Sequence, residues 1–304
     1  MLPPSAAGLL DRCSFPPAGT AVACGVSGGA DSLSLLVLAV AAGCEVTAIH
    51  VDHGLRAGSA AEADVVEAAA SRFGAGFRAL RAPVPDGPNL EARARVTRHA
   101  ALPVGVLLGH TMDDQAETMV LNLMRGAGVA GMAGMRHDGR RPLLGLRRTE
   151  TRALCVDTGL EPVDDASNED PRFRRNRVRA ELLPLMADIA ERDVVPVLAR
   201  QAELFAADAD LIDTLASAVE PTDVAALRDA PPPVARRALR RWIADRTGSA
   251  HPPDASTVER VLAVVRHDSR ATELGGGWHL ARTEGRLRIE RTGSGPSGDA
   301  RHGE

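Results

Sequence analysis

Lysine and tyrosine are absent from this 304-residue chain, so all 36 of its basic side chains are arginine. Without lysine there is no amine for a Schiff base and none for a Walker-type phosphate grip. Cysteine is scarce: Cys13, Cys24, Cys44 and Cys155 stand far apart and form no C-x-x-C pair. That spacing argues against a zinc ribbon, a redox pair or a disulfide framework. No apolar run reaches the roughly 18 residues needed to span a bilayer. The segment from Met1 to Phe15 lacks the basic start of a secretory signal. A cytoplasmic protein with no membrane partner is expected. An excess of one charge sign is also missing, since the net charge is −4. Up to residue 185 there are 20 Arg against 21 Asp and Glu, and beyond it 16 against 19. Neither part is basic overall, so a nucleic-acid partner must be argued from local clusters.

What is present has the composition of a globular chain, 44% hydrophobic and 25% charged. The length suggests two domains. Short apolar runs at 21–26, 45–51, 76–80 and 104–109 read as strands. Helical patterns at 32–42, 59–73, 89–102 and 113–125 alternate with them. Such alternation predicts an α/β fold, a Rossmann-like parallel sheet covered on both faces. Ligands of such sheets bind beyond the carboxyl ends of the strands. After residue 135 the pattern becomes irregular. From about 182 to 246 it is helical, with Pro231–Pro233 opening a new helix, and 278–290 reads as a hairpin. The expected organisation is a catalytic domain over 1–185, a smaller, mainly α-helical domain over 186–290 and a disordered Gly- and Ser-rich tail over 291–304.

The loop Ser27-Gly28-Gly29-Ala30-Asp31-Ser32 joins the first strand to its helix. Glycines bring backbone N–H groups close to an anion, and the helix start adds its positive dipole end. Asp31 would repel a phosphate unless Mg²⁺ lay between them, so its presence points to a metal–pyrophosphate site. The plainer alternative is a glycine turn with Asp31 and Ser32 capping the helix. Gly25-Val26-Ser27-Gly28-Gly29 also matches the G-x-S-x-G nucleophile elbow of serine hydrolases. Only about 20 residues precede it, however, with no segment to supply an oxyanion hole.

SGGADS resembles the pyrophosphate loop of the PP-loop ATP-pyrophosphatase superfamily. Further segments narrow the resemblance: His50-Val51-Asp52-His53-Gly54-Leu55-Arg56, Gly109-His110-Thr111-Met112-Asp113-Asp114-Gln115-Ala116-Glu117-Thr118 and Arg125-Gly126-Ala127-Gly128 with Gly131-Met132. Arg141-Pro142-Leu143-Leu144 and Asp165-Ala166-Ser167-Asn168-Glu169-Asp170 with Arg175-Asn176-Arg177-Val178-Arg179 complete the set. In this order, over about residues 20–180, they resemble the tRNA(Ile)-lysidine synthetase family. Ala166 departs from the family, which usually has Pro there; the change removes a φ restraint but no functional group.

The resemblance implies an ATP-dependent ligase. It would join L-lysine to the wobble cytidine of the isoleucine tRNA with a CAU anticodon, through an adenylated cytidine, giving lysidine, AMP and pyrophosphate. It implies ATP and Mg²⁺ as cofactors, and it admits a homodimer. Ser27, Gly28, Gly29, Ala30, Asp31 and Ser32 would hold the phosphates, with Asp31 on the metal. His50, Gly109 and His110 would flank the nucleoside. Taken singly, His50, His53 and His110 also read as hydrogen-bonded core or loop histidines.

Asp114 and Glu117 fall three residues apart on a predicted helix and face one side. They could bind the lysine ammonium, and Glu117 could take a proton from the attacking amine. The rival role for them is compensation of the helix dipole. Arg172, Arg174, Arg175, Arg177 and Arg179 put five guanidiniums into eight residues, suited to phosphate contact or to stabilising the adenylated intermediate, with Arg175 as the catalytic candidate. Arg236, Arg237, Arg240 and Arg241 form a second cluster that could meet tRNA backbone or be ordinary surface. The alternatives are a PP-loop tRNA thiolase, which would need paired cysteines, and a nucleotide-dependent RNA-binding module without catalysis.

Overall fold

The structure, a computed structural model, describes residues 4–52, 59–83, 93, 97, 100–163, 170–249 and 252–292. The chain divides into two compact units, Met1–Ala206 and Ala207–Glu304. The division falls inside one long helix, Val195–Ser217.

In the first unit, α1 (Pro4–Leu10) leads to β1 (Ala21–Gly25), α2 (Ala30–Ala41), β2 (Glu45–Asp52), α3 (Ser59–Arg72) and β3 (Gly76–Arg81). After β4 (Leu107–Leu108) come α4 (Met112–Met124), α5 (Val129–Met132) and α6 (Arg148–Asp157). All strand pairings in this sheet are parallel, in the order β3-β2-β1-β4. The expected α/β class is therefore observed. Apolar burial explains it: Leu33, Leu35, Leu36 and Leu38 on α2 are wholly buried, and β2 buries Ala48, Ile49 and His50 in succession. Only a strand covered on both faces buries consecutive residues.

The strand expected over 104–109 shrinks to two residues, because Pro103 and Gly105 (φ +82°) turn the chain and leave Val104 fully exposed. Most of the helix expected over 89–102, the motif residues 53–56 and 164–169, and the tail from 293 lie outside the described residues.

Within the irregular region after residue 135 the structure places α6, which the sequence pattern did not show. It packs on α2, where the Ser34 hydroxyl donates to the Thr151 carbonyl at 2.8 Å. A short α7 (Arg174–Arg177) runs into a π-helical turn (Val178–Leu182) and then α8 (Leu183–Ile189). Val178, Leu183, Val194 and Val195 pack on Ala116 and Val120 of α4, which sets the arginine-rich turn beside that helix. α9 is Val195–Ser217.

The second unit contains α10 (Val224–Asp229), α11 (Pro232–Thr247) and α12 (Ala255–Val265); the Asp223 and Asp254 side chains cap α10 and α12, and Pro231 precedes α11. Its core joins Leu227, Leu239 and Val261 to Leu280, Leu287 and Ile289. The expected hairpin is present as β6 (Trp278–Thr283) and β7 (Arg286–Arg291). A further strand, β5 (Ala271–Gly275), makes it a three-stranded antiparallel sheet. Among the described residues no helix is long and apolar enough to cross a membrane.

Candidate active site

The loop between β1 and α2 stands at the carboxyl edge of the parallel sheet. Gly28 takes φ +91°, a conformation that favours glycine, and its carbonyl accepts from the Val163 N–H at 3.0 Å. Ser32 shapes the loop from within: its hydroxyl donates to the Gly29 carbonyl at 2.9 Å and accepts from the Ser27 N–H at 3.1 Å. The N–H groups of Gly28, Gly29, Ala30 and Asp31 find no acceptor among the described residues. Four donors at the start of a twelve-residue helix are thus left for an anion.

Gly109 touches this loop by lacking a side chain. A Cβ there would lie 2.6 Å from the Asp31 carbonyl oxygen and 3.1 Å from the Ser32 Cα. The residue lets the end of β4 meet the first turn of α2. His50 is buried on β2, with Nδ1 3.0 Å from the Val26 carbonyl oxygen. Its Nε2 is buried with no hydrogen-bond partner among the described residues, a polar atom suited to meeting a ligand. His110 sits near Asp114 and helps hold that carboxylate below its ordinary pKa.

Asp114 and Glu117 do share one face of α4, and arginines cover them. Glu117 is completely buried. It accepts from Arg148 Nη1 at 3.0 Å, Arg175 Nε at 2.6 Å and Arg179 Nε at 2.7 Å. Asp114 accepts from Arg148 Nη2 at 3.0 Å and Arg175 Nη2 at 3.1 Å through one oxygen, and from the Thr111 N–H at 2.9 Å through the other. Burial alone would raise the Asp114 pKa, but Arg148, Arg175, His110 and the Thr111 amide together bring it down.

Asp31 joins the same network, accepting from Arg148 Nε at 3.4 Å and from the Thr151 hydroxyl. Its pKa is raised, chiefly by burial and further by Asp114, against the lowering by Thr151 and Arg148. Three carboxylates thus meet three guanidiniums. Arg148 is the only one of these arginines that reaches both the loop and α4. Sequence reading missed it because the helix carrying it gave no periodic signal. An arginine directly after Arg147, opening a T-E-T segment, was the only trace.

The five-arginine run separates into roles. Arg175 and Arg179 point to Glu117, whereas Arg172 pairs with Asp170 and Arg177 with Glu181, both exposed. Arg174 is exposed and has no ion pair among the described residues. In the second cluster Arg237 and Arg241 both turn to Asp213, and Arg236 pairs with Glu259 at 2.6 Å. Arg240 is exposed without an ion pair among the described residues.

Next to Glu117 lies a cavity of about 220 Å³. Asp113, Asp193, Arg147 and Arg179 line its polar side, and Leu183, Val194 and Val195 contribute to its apolar side.

Among the described residues no three metal-ligating side chains cluster. Asp31 would therefore give Mg²⁺ one ligand, with phosphate and water supplying the rest, which is how this ion is commonly held. The cysteines carry no exposed nucleophile: Cys24, Cys44 and Cys155 are buried and Cys13 is half-buried, and burial pushes the Cys13 and Cys24 thiols up to about 12.

Unclaimed amides at the edge of a parallel sheet, with an acidic residue on the following helix, mark a nucleotide-binding domain of the PP-loop class. The PP-loop domain family matches residues 9–186, and the TilS substrate binding domain family matches residues 223–288. The tRNA(Ile)-lysidine synthase of Nocardia farcinica is 40% identical, covering 93% of this chain and 96% of its own length. That of Mycolicibacterium paratuberculosis is 46% identical over 72% of each chain. Among solved structures, the U34-tRNA thiolase NcsA of Methanococcus maripaludis shares the fold at a TM-score of 0.50 and 16% identity, over 66% of this chain and 78% of its own. The chain belongs to the tRNA(Ile)-lysidine synthase family.

Proposed function

We propose that the protein is an ATP-dependent ligase that joins L-lysine to the wobble cytidine of a CAU-anticodon isoleucine tRNA. The observation that carries this reading is the loop of free amides tied, through Arg148, to the carboxylate pair on α4. One end suits a triphosphate and the other adjoins a cavity with both charged and apolar walls.

In this reading Gly28, Gly29, Ala30 and Asp31 offer backbone N–H groups to the phosphates, and Ser27 and Ser32 keep the loop in shape. Mg²⁺ held by Asp31 would offset charge on the leaving pyrophosphate. His50 Nε2 is available to the nucleoside, while Gly109 and His110 form the neighbouring wall. The cytosine 2-oxygen attacks the α-phosphorus of ATP and pyrophosphate leaves. A neutral lysine amine then attacks carbon 2 of the cytosine, and AMP leaves.

Lysine fits the 220 Å³ cavity chemically. Asp113, Glu117 and Asp193 can face an ammonium, Leu183 and Val194 an aliphatic stem, and Arg147 or Arg179 a carboxylate. Asp114 and Glu117 hold Arg175 in place, so Arg175 can meet charge developing on the adenylated cytidine. With both its oxygens already accepting from guanidiniums, Glu117 takes a proton from the lysine amine only as one of them yields. The second unit would carry the tRNA body. These substrates place the enzyme in the cytoplasm. The resemblance also admits a homodimer, which would show as twice the chain's mass for the purified protein in solution.

The test supplies purified protein with ATP, Mg²⁺, labelled lysine and the transcript. Label in the tRNA, with AMP and pyrophosphate released in equal amounts, is the expected result. ATP consumption by folded protein with no label in the tRNA would overturn the reading.

A further inference from the structure

We propose that Arg148 is a positioning residue that couples the nucleotide loop to the buried carboxylate pair, by serving as the counterion that competes for Asp31 with a divalent cation arriving with ATP. The proposal rests on the reading of Asp31 given above.

Arg148 spends its guanidinium on three carboxylates from two elements. Nη1 donates to Glu117 and Nη2 to Asp114, each at 3.0 Å, while Nε reaches Asp31 at 3.4 Å. The bond to Asp31 is the longest and therefore the weakest of the three. Among the described residues Asp31 has no other cationic partner, whereas Asp114 and Glu117 also hold Arg175, and Glu117 holds Arg179. Exchange is also easiest on that side: the Asp31 side chain is 25% exposed, against 12% for Asp114 and none for Glu117.

The base of Arg148 is fixed, since its own N–H donates to Asp113 Oδ2 at 2.8 Å. Three residues on, the Thr151 hydroxyl takes the other oxygen of Asp31. Helix α6 thus engages both oxygens of the loop aspartate. A divalent cation that takes Oδ2 of Asp31 competes with the Arg148 Nε for that oxygen, and repulsion between the two cations favours release of this longest contact. Released there, the guanidinium keeps its bonds to Asp114 and Glu117 and gains a free N–H next to the phosphates. Occupancy of the loop would thereby alter the charge beside Glu117, which lines the lysine cavity.

The test compares ATP affinity with and without Mn²⁺ by titration calorimetry on the full chain, with no tRNA and no lysine. The readout is the factor by which Mn²⁺ tightens ATP. Arg148→Gln removes the competing cation, so this factor is expected to rise about tenfold, the equivalent of about 1.4 kcal/mol. Asp31→Asn is expected to bring the factor close to one. An unchanged factor in Asp31→Asn would refute Asp31 as the metal ligand, which is the earlier reading. A collapse in Asp31→Asn with no rise in Arg148→Gln would refute the coupling alone. Should Arg148→Gln fail to melt cooperatively, Arg148→Lys is read instead: a smaller rise supports the coupling, and the wild-type factor or less overturns it. A purely structural role for Arg148 would weaken ATP equally with and without metal, leaving the factor unmoved.

Discussion

The Nε of Arg175 donates to Oε2 of Glu117 at 2.6 Å, and no part of that glutamate side chain reaches solvent. A buried carboxylate survives only with such partners, and it has three. Removing it strands guanidiniums in a poorly solvated place. Glu117→Ala should cost about 3–5 kcal/mol of stability, read by urea denaturation. The double variant with Arg175→Ala should cost less than the sum of the two single changes, since the pair is coupled. Strict additivity would show that the contact does no energetic work.

The same cluster sets two opposite pH dependences. Asp114 has a folded pKa below its ordinary value, so its stabilisation is present above that value, near 3.9, and is lost as pH falls through the depressed one. Asp31 has a raised pKa. Its favourable contribution is therefore present below the ordinary value and lost as pH rises through the raised one. Metal support needs Asp31 ionised, so the factor by which Mn²⁺ tightens ATP should decline on acidification at a pH above the ordinary aspartate range. Asp31→Asn should show no such decline. A wild-type factor that stays level down to the ordinary value would contradict the raised pKa.

Much of this arrangement was legible in the residues because it is local. SGGADS carries its own turn chemistry, and the i, i+3 spacing of Asp114 and Glu117 forces them onto one face of a helix. Alternating apolar strands and helices announced the parallel sheet. What escaped reading is long-range. Arg148 lies 117 positions from Asp31 and 31 from Glu117, and no periodicity links such residues. Its helix buries only Thr151, Leu154 and Cys155, too few for an apolar stripe. β5 escaped for a related reason, as Ala271–Gly275 has no fully buried residue and gains its place by pairing with β6. Spacing also could not show that Glu117 would be covered by arginines, since Arg148 comes from α6, Arg175 from α7 and Arg179 from the π-helical turn after it.

Gly109 offers a test of close packing between loop and sheet. The added Cβ of Gly109→Ala would meet backbone atoms of Asp31 at 2.6 and 2.9 Å, which cannot rotate away. The variant should lose about 1–3 kcal/mol of stability, as overpacked sites do, and should bind ATP more weakly because the loop is displaced. Gly128→Ala is the control, since no atom lies within 4 Å of its added Cβ. Equal melting temperatures for the two variants would contradict the contact.

In the second unit, the arginines of α11 should divide between structure and RNA. Arg237 places Nη1 3.0 Å from both oxygens of Asp213, so most of its charge is already answered within the protein. Arg240, exposed and without an ion pair among the described residues, is free to neutralise a phosphate. Each phosphate neutralised contributes close to one unit to the slope of log affinity against log salt. Arg240→Ala should therefore lower that slope for tRNA by about 1, with little change in stability. Arg237→Ala should leave the slope nearly unchanged and lower the melting temperature through loss of its partner and its packed stem. Filter binding over a salt series separates the two. A slope that falls for Arg237→Ala and not for Arg240→Ala would mean that RNA breaks the Asp213 pair and that Arg240 does not face the RNA.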